Sequence, residues 1–127
     1  MLKSGLYIAD TGEKGRGVFT TKPIAARAVI EIAPVLVLSA KDRLAVENTS
    51  LYYYIFEWGD DIEQGAVGLG FVSIYNHASP SNCEYTMDYN EKTISIQTMR
   101  AIAAGEELTI NYSAGWDDWK PVWFDAV

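Results

Sequence analysis

AIAAGEELTINY, residues 101–112, is the stretch that decides the fold of this 127-residue chain. Its first ten residues align without a gap with PIAARAVIEI at 23–32, and the two copies share Ile, Ala, Ala and the final Ile. Each copy predicts a short turn that leads into an apolar strand. Gly105 stands where such a turn favours a positive φ, whereas the first copy has Arg27, for which that conformation is costly. Because so brief a match also arises by chance, the equivalence of the two turns is a hypothesis.

Outward from this stretch, short apolar runs separated by Gly and Pro predict a mostly-β domain with few helices. Four runs in the first third are too short for helices and are typical of strands: 6–9, 17–20, 28–32 and 35–38. LYYYIFEW at 51–58 predicts a buried aromatic strand, and the alternation in 84–89 and 94–99 around the turn NEKT predicts a hairpin. One short helix is expected at 39–47, with Ser39 as its N-cap.

The composition and net charge of the chain limit the classes of function that it can have. The chain is 49% hydrophobic and 13% aromatic, which predicts one folded domain over 1–127 rather than disorder. A net charge of −7 makes direct nucleic-acid binding improbable; it favours a basic partner or simply aids solubility. No apolar run approaches the roughly 20 residues that span a bilayer, and the N-terminal residues lack a secretory signal, so no membrane association is expected. A single Cys suits a reducing compartment, and we expect a cytoplasmic location.

IYNHASPSNCEY at 74–85 holds the only His and the only Cys of the chain, His77 and Cys83. A zinc site typically needs three or four Cys, His or carboxylate ligands, so this pair predicts no metal. No Ser lies in a nucleophile-elbow context that would pair with His77 in a hydrolase. The Gly15-x-Gly17 pair lacks the third Gly of a dinucleotide site, but it permits a close backbone approach. None of these features alone identifies a function.

Three motifs in order carry the identification: EKGRGVFTT at 13–21, LGFVSIYNHASPSN at 69–82 and AIAAGEELTINY at 101–112. Together they resemble the SET-domain protein lysine methyltransferases, of the small single-domain bacterial or viral type. The resemblance implies a β-clip-like SET fold of short strands in small sheets, with a C-terminal pseudoknot that brings 76–77 and 112 together. Two positions depart from the family pattern, because Ser81 replaces a Pro before Asn82 and Arg27 replaces a Gly.

The resemblance also implies an activity and a site. The chain is expected to methylate a protein lysine with S-adenosylmethionine as cofactor. Tyr112 and Tyr85 are the expected catalytic residues. Asn82 is expected to support the Asn-His turn, and Ile110 is expected to border the lysine channel. The expected cofactor-binding residues are Lys14, Gly15, Arg16, Gly17, Asn76, His77, Tyr112 and Trp123.

The expected partner is a basic, Lys-bearing protein or peptide, and a homodimer is compatible with the need to close the channel. One of Tyr52, Tyr53 and Tyr54 is expected to touch substrate. Two alternatives stay open at this stage. In the first alternative, the chain is a catalytically silent SET-like module that binds a basic peptide or the cofactor. In the second, it is an unrelated mostly-β interaction domain.

Overall fold

Nine strands, one α-helix and one 3-10 helix make up the part of the chain that the structure describes. That structure is a computed structural model, and it describes residues 1–60 and 62–112. The helix α1 is Ala40–Val46, and the 3-10 helix is Ser50–Tyr54. The strands are β1 (Leu6–Asp10), β2 (Arg16–Thr20), β3 (Val29–Leu38), β4 (Ile55–Trp58), β5 (Gln64–Gly68), β6 (Asn76–His77), β7 (Cys83–Asp88), β8 (Thr93–Thr98) and β9 (Glu107–Ile110).

The strands form two small sheets. One has the order β1-β2-β9-β6 and the other β4-β5-β3-β8-β7. In the first sheet β9 lies between β2, to which it is antiparallel, and β6, to which it is parallel. The last described strand therefore inserts between segments that precede it by many residues. This is the arrangement that the expected pseudoknot requires, and the mostly-β fold class is confirmed.

The two copies of the internal repeat are structurally equivalent at their start. Ile24 and Ile102 form an antiparallel bridge in which each backbone N–H donates to the other carbonyl, at 3.0 and 2.8 Å. The turns that follow both need a left-handed residue, since φ is 63° at Arg27 and 84° at Gly105. Arg27 adopts this conformation despite its side chain, because its own N–H donates to the Thr98 carbonyl at 2.9 Å. The hypothesis of equivalence is confirmed.

The prediction of one buried strand over 51–58 is wrong in its first half. Residues 50–54 form the 3-10 helix, and only Ile55–Trp58 are extended. The Thr49 hydroxyl explains the difference, because it accepts the Leu51 N–H and caps the helix. Tyr53 and Tyr54 are consequently 57% and 42% exposed instead of packed in the core.

The other predicted elements are present with small changes of boundary. Ser39 caps α1 by accepting the Asp42 N–H, as expected. The hairpin of β7 and β8 has Ile94 and Ile96 fully buried on its inner face. The runs at 28–32 and 35–38 merge into the ten-residue β3, which changes its partner from β8 to β5 after Pro34. Within residues 1–60 and 62–112, no helix has the length and apolar character needed to cross a bilayer.

Candidate functional site

The parallel pairing of β6 with β9 brings the Asn-His pair to the end of the chain's last described strand. Asn76 lies opposite Thr109 and His77 opposite Ile110, and the Ala78 N–H donates to the Ile110 carbonyl at 3.0 Å. The chain then continues directly to Tyr112. The structure therefore brings together residues that are 35 positions apart in the sequence, as expected.

His77 contacts Tyr112 through its side chain. The Tyr112 N–H donates to His77 Nδ1 at 3.0 Å, and the two rings lie 5.1 Å apart between centroids. Nδ1 must be unprotonated to accept this hydrogen bond, so the neutral ring carries its proton on Nε2. Burial and the nearby Lys14 charge lower the pKa of His77, which favours the neutral ring. The family resemblance assigned His77 to cofactor binding, and the sequence gave no signal for its side-chain contact with Tyr112.

The predicted glycine-containing segment, 14–17, lies against the same pair. Asn76 Nδ2 donates to the Arg16 carbonyl at 3.0 Å and to the Glu107 carboxylate at 2.8 Å. Gly17 has no room for a side chain, because a Cβ there would lie 2.9 Å from Asn76 Nδ2 and would also meet the Glu107 carboxylate. The Lys14 ammonium donates to the His77 carbonyl at 3.1 Å.

The turn at Gly15 and Arg16 is exposed to solvent. Gly15 has a φ of 71°, and a Cβ built on it would have no heavy atom within 4 Å. Two segments that are distant in the sequence thus lie together at one part of the surface. They are residues 14–17 and the Asn-His pair, Asn76 and His77.

Asn82 joins the turn after the Asn-His pair to β9. Its amide donates to the Glu107 carbonyl at 2.8 Å and accepts the Thr109 N–H at 2.8 Å, so it satisfies backbone groups on both sides of Leu108. At the departure from the family pattern, the buried Ser81 hydroxyl donates to the Cys83 carbonyl at 2.6 Å. Cys83 is fully buried, and burial raises the pKa of its thiol to about 12, so it is an unreactive side chain that fills space in the core.

A cavity of about 200 Å³ opens beside Tyr112. That volume is about 13 to 20 times the roughly 10–15 Å³ that a single water requires. Seven of its lining residues are aromatic: Tyr53, Tyr54, Phe56, Tyr75, Tyr85, Tyr89 and Tyr112. Among the described residues that line it, the one charged group is Glu57, whose carboxylate lies 3.7 Å from the Arg43 guanidinium. Both Tyr53 and Tyr54 line the cavity and Tyr52 is not among its lining residues, and the expectation that one of the three touches substrate stays a prediction.

The two predicted catalytic tyrosines meet in this cavity. The Tyr112 hydroxyl donates to the Tyr75 carbonyl at 2.7 Å, and the Tyr85 hydroxyl approaches the Tyr112 carbonyl at 3.4 Å. Burial, followed by the charge of Glu107, raises the pKa of Tyr112 to about 12, and burial also raises the pKa of Tyr85. Both groups are therefore neutral phenols at physiological pH, able to donate and accept hydrogen bonds.

Two predicted residues do not contribute to the described cavity. Ile110 is fully buried in the core and is not among the lining residues of the cavity. This differs from the expectation that it borders the channel. Trp123 lies outside the described residues, and its cofactor role stays a prediction. Among residues 1–60 and 62–112, no three His, Cys, Asp or Glu side chains lie close enough together to hold a metal ion.

Comparison with known proteins gives the family context. The SET domain profile matches residues 15–113. The chain is 39% identical over 113 residues to the histone-lysine N-methyltransferase, H3 lysine-37 specific, of Schizosaccharomyces pombe, covering 88% of this chain and 76% of that protein. It is 33% identical over 113 residues to the histone-lysine N-methyltransferase trithorax of Drosophila virilis, which covers 84% of this chain but only 3% of that much longer protein.

A solved structure supports the fold. A Plasmodium falciparum protein described as a candidate histone methyltransferase superposes with a TM-score of 0.71 at 23% identity, covering 94% of this chain and all of that one. At this identity the likeness concerns the fold alone. These three relatives are eukaryotic, and the expected bacterial or viral type stays a prediction.

Proposed function

The chain belongs to the SET-domain family, and from that premise we propose that it methylates the side-chain amine of a protein lysine with S-adenosylmethionine as donor. The observation that carries this proposal is the position of Tyr112. Its hydroxyl lines an aromatic cavity, while its backbone N–H is bonded to His77, in the locality formed by residues 14–17 and 76–77. Tyr112 thus connects a cavity suited to the long aliphatic part of a lysine side chain with the proposed site of the methyl donor.

The cofactor is proposed to lie against the exposed turn around Gly15, beside Asn76 and His77. Its surroundings offer backbone groups of 14–17, the His77 main chain and the cationic side chains of Lys14 and Arg16, which suit the adenine and the carboxylate of S-adenosylmethionine. We assign cofactor binding to Lys14, Gly15, Arg16, Gly17, Asn76, His77 and Tyr112. When bound, S-adenosylmethionine supplies an electrophilic methyl group on a positive sulfonium.

The cavity explains how a lysine becomes a nucleophile without a histidine base. With a reference pKa of 10.4, a free amine at pH 7 costs about 4.6 kcal/mol. An apolar, aromatic surrounding disfavours the ammonium and so lowers this cost. The proton leaves to solvent before the side chain is enclosed. Aromatic faces then tolerate the methylammonium product by cation–π attraction.

Tyr112 and Tyr85 orient the amine. The Tyr112 proton is directed at the Tyr75 carbonyl, and its oxygen is proposed to accept a hydrogen bond from the amine N–H of the substrate lysine. The Tyr85 ring is fixed against Phe56, with centroids 5.5 Å apart, which limits its freedom. Such positioning of a reacting atom is worth several kcal/mol of the activation barrier.

The acceptor is proposed to be a basic segment of a protein. The net charge of −7 and Glu57 at the cavity favour a peptide with more than one positive charge. Because two relatives are named histone-lysine methyltransferases, histone tails are the first acceptors to examine. A cytoplasmic location and a homodimer stay proposals.

Two measurements on the same preparation test this function. Isothermal titration with S-adenosylmethionine measures cofactor binding, and incubation with Lys-bearing peptides followed by mass spectrometry measures turnover. Binding with methyl transfer to lysine is the expected result. Binding without turnover on any basic peptide would instead support the catalytically silent module, and the unrelated interaction domain is already excluded by the family match.

A further inference from the structure

Glu31, the third residue of β3, has a buried carboxyl side chain, with 2% of the residue surface exposed. It does not line the cavity, and the chemistry described above makes no use of it. A buried carboxylate costs free energy unless its oxygens accept hydrogen bonds. Tyr75 OH donates to Oε1 at 2.9 Å, and the Phe71 N–H donates to Oε2 at 2.7 Å. Burial raises the pKa of the Glu31 carboxyl, and these donated hydrogen bonds partly oppose that rise.

These contacts fix the segment 69–75, which joins β5 to β6. Gly70 packs so closely on the carboxylate that a Cβ there would meet Glu31 Oε2 and lie 3.3 Å from the Ala33 methyl. At the start of the segment, the Leu69 N–H donates to the Pro34 carbonyl at 2.9 Å. The segment therefore lies directly on β3, and Glu31 is the side chain that attaches its middle and its end.

Tyr75 connects this attachment to the site. Its side chain is 1% exposed and bonded to Glu31, while its main-chain carbonyl accepts the Tyr112 hydroxyl at 2.7 Å. A shift of Tyr75 would therefore move the carbonyl that holds the Tyr112 proton. Burial and the neighbouring Glu31 charge raise the pKa of Tyr75 well above its usual range, so its phenol stays a donor to Glu31.

We propose that Glu31 is a positioning residue for methyl transfer: it fixes the Tyr75 carbonyl and thereby the direction in which the Tyr112 hydroxyl points. The proposal rests on the proposed function, and it assigns Glu31 no contact with substrate or cofactor. Its effect is transmitted through two hydrogen bonds and one residue. A purely stabilising role would predict a change in folding alone.

The variant Glu31→Gln tests this inference, because it keeps the side-chain shape and one oxygen acceptor but replaces the second acceptor with a donor. We expect kcat to fall about tenfold, which corresponds to about 1.4 kcal/mol. The KM for peptide and the Kd for S-adenosylmethionine should change less than twofold. In the Tyr112→Phe background, Glu31→Gln should cause no further loss, since the hydroxyl that it orients is absent.

Two kinetic results would overturn the inference: a kcat within twofold of the parent, or the same fold-loss in the presence and in the absence of the Tyr112 hydroxyl. Should Glu31→Gln fail to fold, Tyr75→Phe replaces it, because this change removes only the hydroxyl that Glu31 accepts and keeps the buried ring. The same kinetic outcomes are then expected.

A readout without catalysis separates this inference from the proposed function. The Cζ chemical shift of Tyr112, in protein labelled with ¹³C-tyrosine, reports the hydrogen bond of its hydroxyl at fixed pH. Glu31→Gln should move this shift and accelerate amide exchange at Phe71, whereas an unchanged Tyr112 signal would refute the inference even in an inactive protein. Failure of the parent chain to methylate any lysine peptide would instead refute the proposed function.

Discussion

Removing the Tyr112 hydroxyl should affect turnover far more than folding. In Tyr112→Phe the ring keeps its contacts, and the hydrogen bond from the hydroxyl to the Tyr75 carbonyl, 2.7 Å long, is lost. A buried hydrogen bond of this kind contributes about 1 kcal/mol net, rising to about 3 kcal/mol if the partner is left unsatisfied. For a chain of this length we expect a Tm lower by about 4 °C for each kcal/mol.

The catalytic loss should be larger because the hydroxyl is positioned at the reacting nitrogen. Removing one preorganised hydrogen-bonding group typically lowers kcat about 10²–10³-fold, or about 2.7–4 kcal/mol. Cofactor affinity should stay nearly intact, because the backbone N–H of Tyr112 still donates to His77. Steady-state methylation of a lysine peptide, titration calorimetry and thermal unfolding measure the three quantities.

Tyr7→Phe is the matched control, since Tyr7 lies on the edge strand β1, stacks on Phe19 with centroids 5.7 Å apart, and does not line the cavity. It removes a phenol hydroxyl without touching the site and should leave kcat unchanged. The assignment of Tyr112 would be wrong if Tyr112→Phe methylated peptide as fast as the parent, or if its activity loss matched its loss of folded protein.

Three other predictions follow from the site. Glu57→Gln should raise the KM for a basic peptide about threefold to tenfold and weaken its salt dependence, with kcat nearly unchanged, because the cavity loses its described charge. Gly17→Ala should weaken S-adenosylmethionine binding at least tenfold in calorimetry, because the added methyl displaces Asn76. The pKa of His77, measured by NMR, should lie below its usual 6.5. The free energy of unfolding should decrease as the pH drops from about 6.5 through the folded-state pKa, because protonation of Nδ1 breaks the hydrogen bond that it accepts from the Tyr112 N–H.

Each of these has a control or a contrary result. Glu91→Gln removes a charge from the exposed turn between β7 and β8 and should leave KM unchanged. Gly105→Ala has open space around its Cβ, so it should cost stability through its φ of 84° but not cofactor affinity. A His77 pKa at or above 6.5, or a proton on Nδ1 of the neutral ring, would contradict the account of the His77–Tyr112 contact.

Local patterns in the sequence were sufficient wherever one segment determines its own structure. The hairpin of β7 and β8, the Ser39 cap and the positive φ at Gly105 all follow from alternation or turn chemistry within a few residues. The family resemblance added what local patterns lack. It supplied the expectation that the Asn-His pair meets Tyr112, which the parallel β6–β9 pairing confirms.

What the sequence missed depends on contacts between distant segments. Three consecutive tyrosines suggest a buried strand, but the Thr49 cap and the space beneath residues 50–54 turn two of them toward the cavity. The sequence gave no reason for a charged residue, Glu31, within an otherwise apolar strand. Its hydrogen-bond partners are 40 and 44 residues away, so no local pattern indicates them. Ile110 occupies the motif position of a channel residue, yet the packing of β9 directs it into the core.

The most direct test of the central claim is to map the methyl group that the chain transfers. Basic protein acceptors, histones first, would be incubated with isotopically labelled S-adenosylmethionine and either the parent chain or Tyr112→Phe, then sequenced by mass spectrometry. The account predicts label on a lysine side-chain nitrogen with the parent, and at least a hundredfold less with the variant. Label on another side chain, or equal labelling by the two proteins, would contradict it.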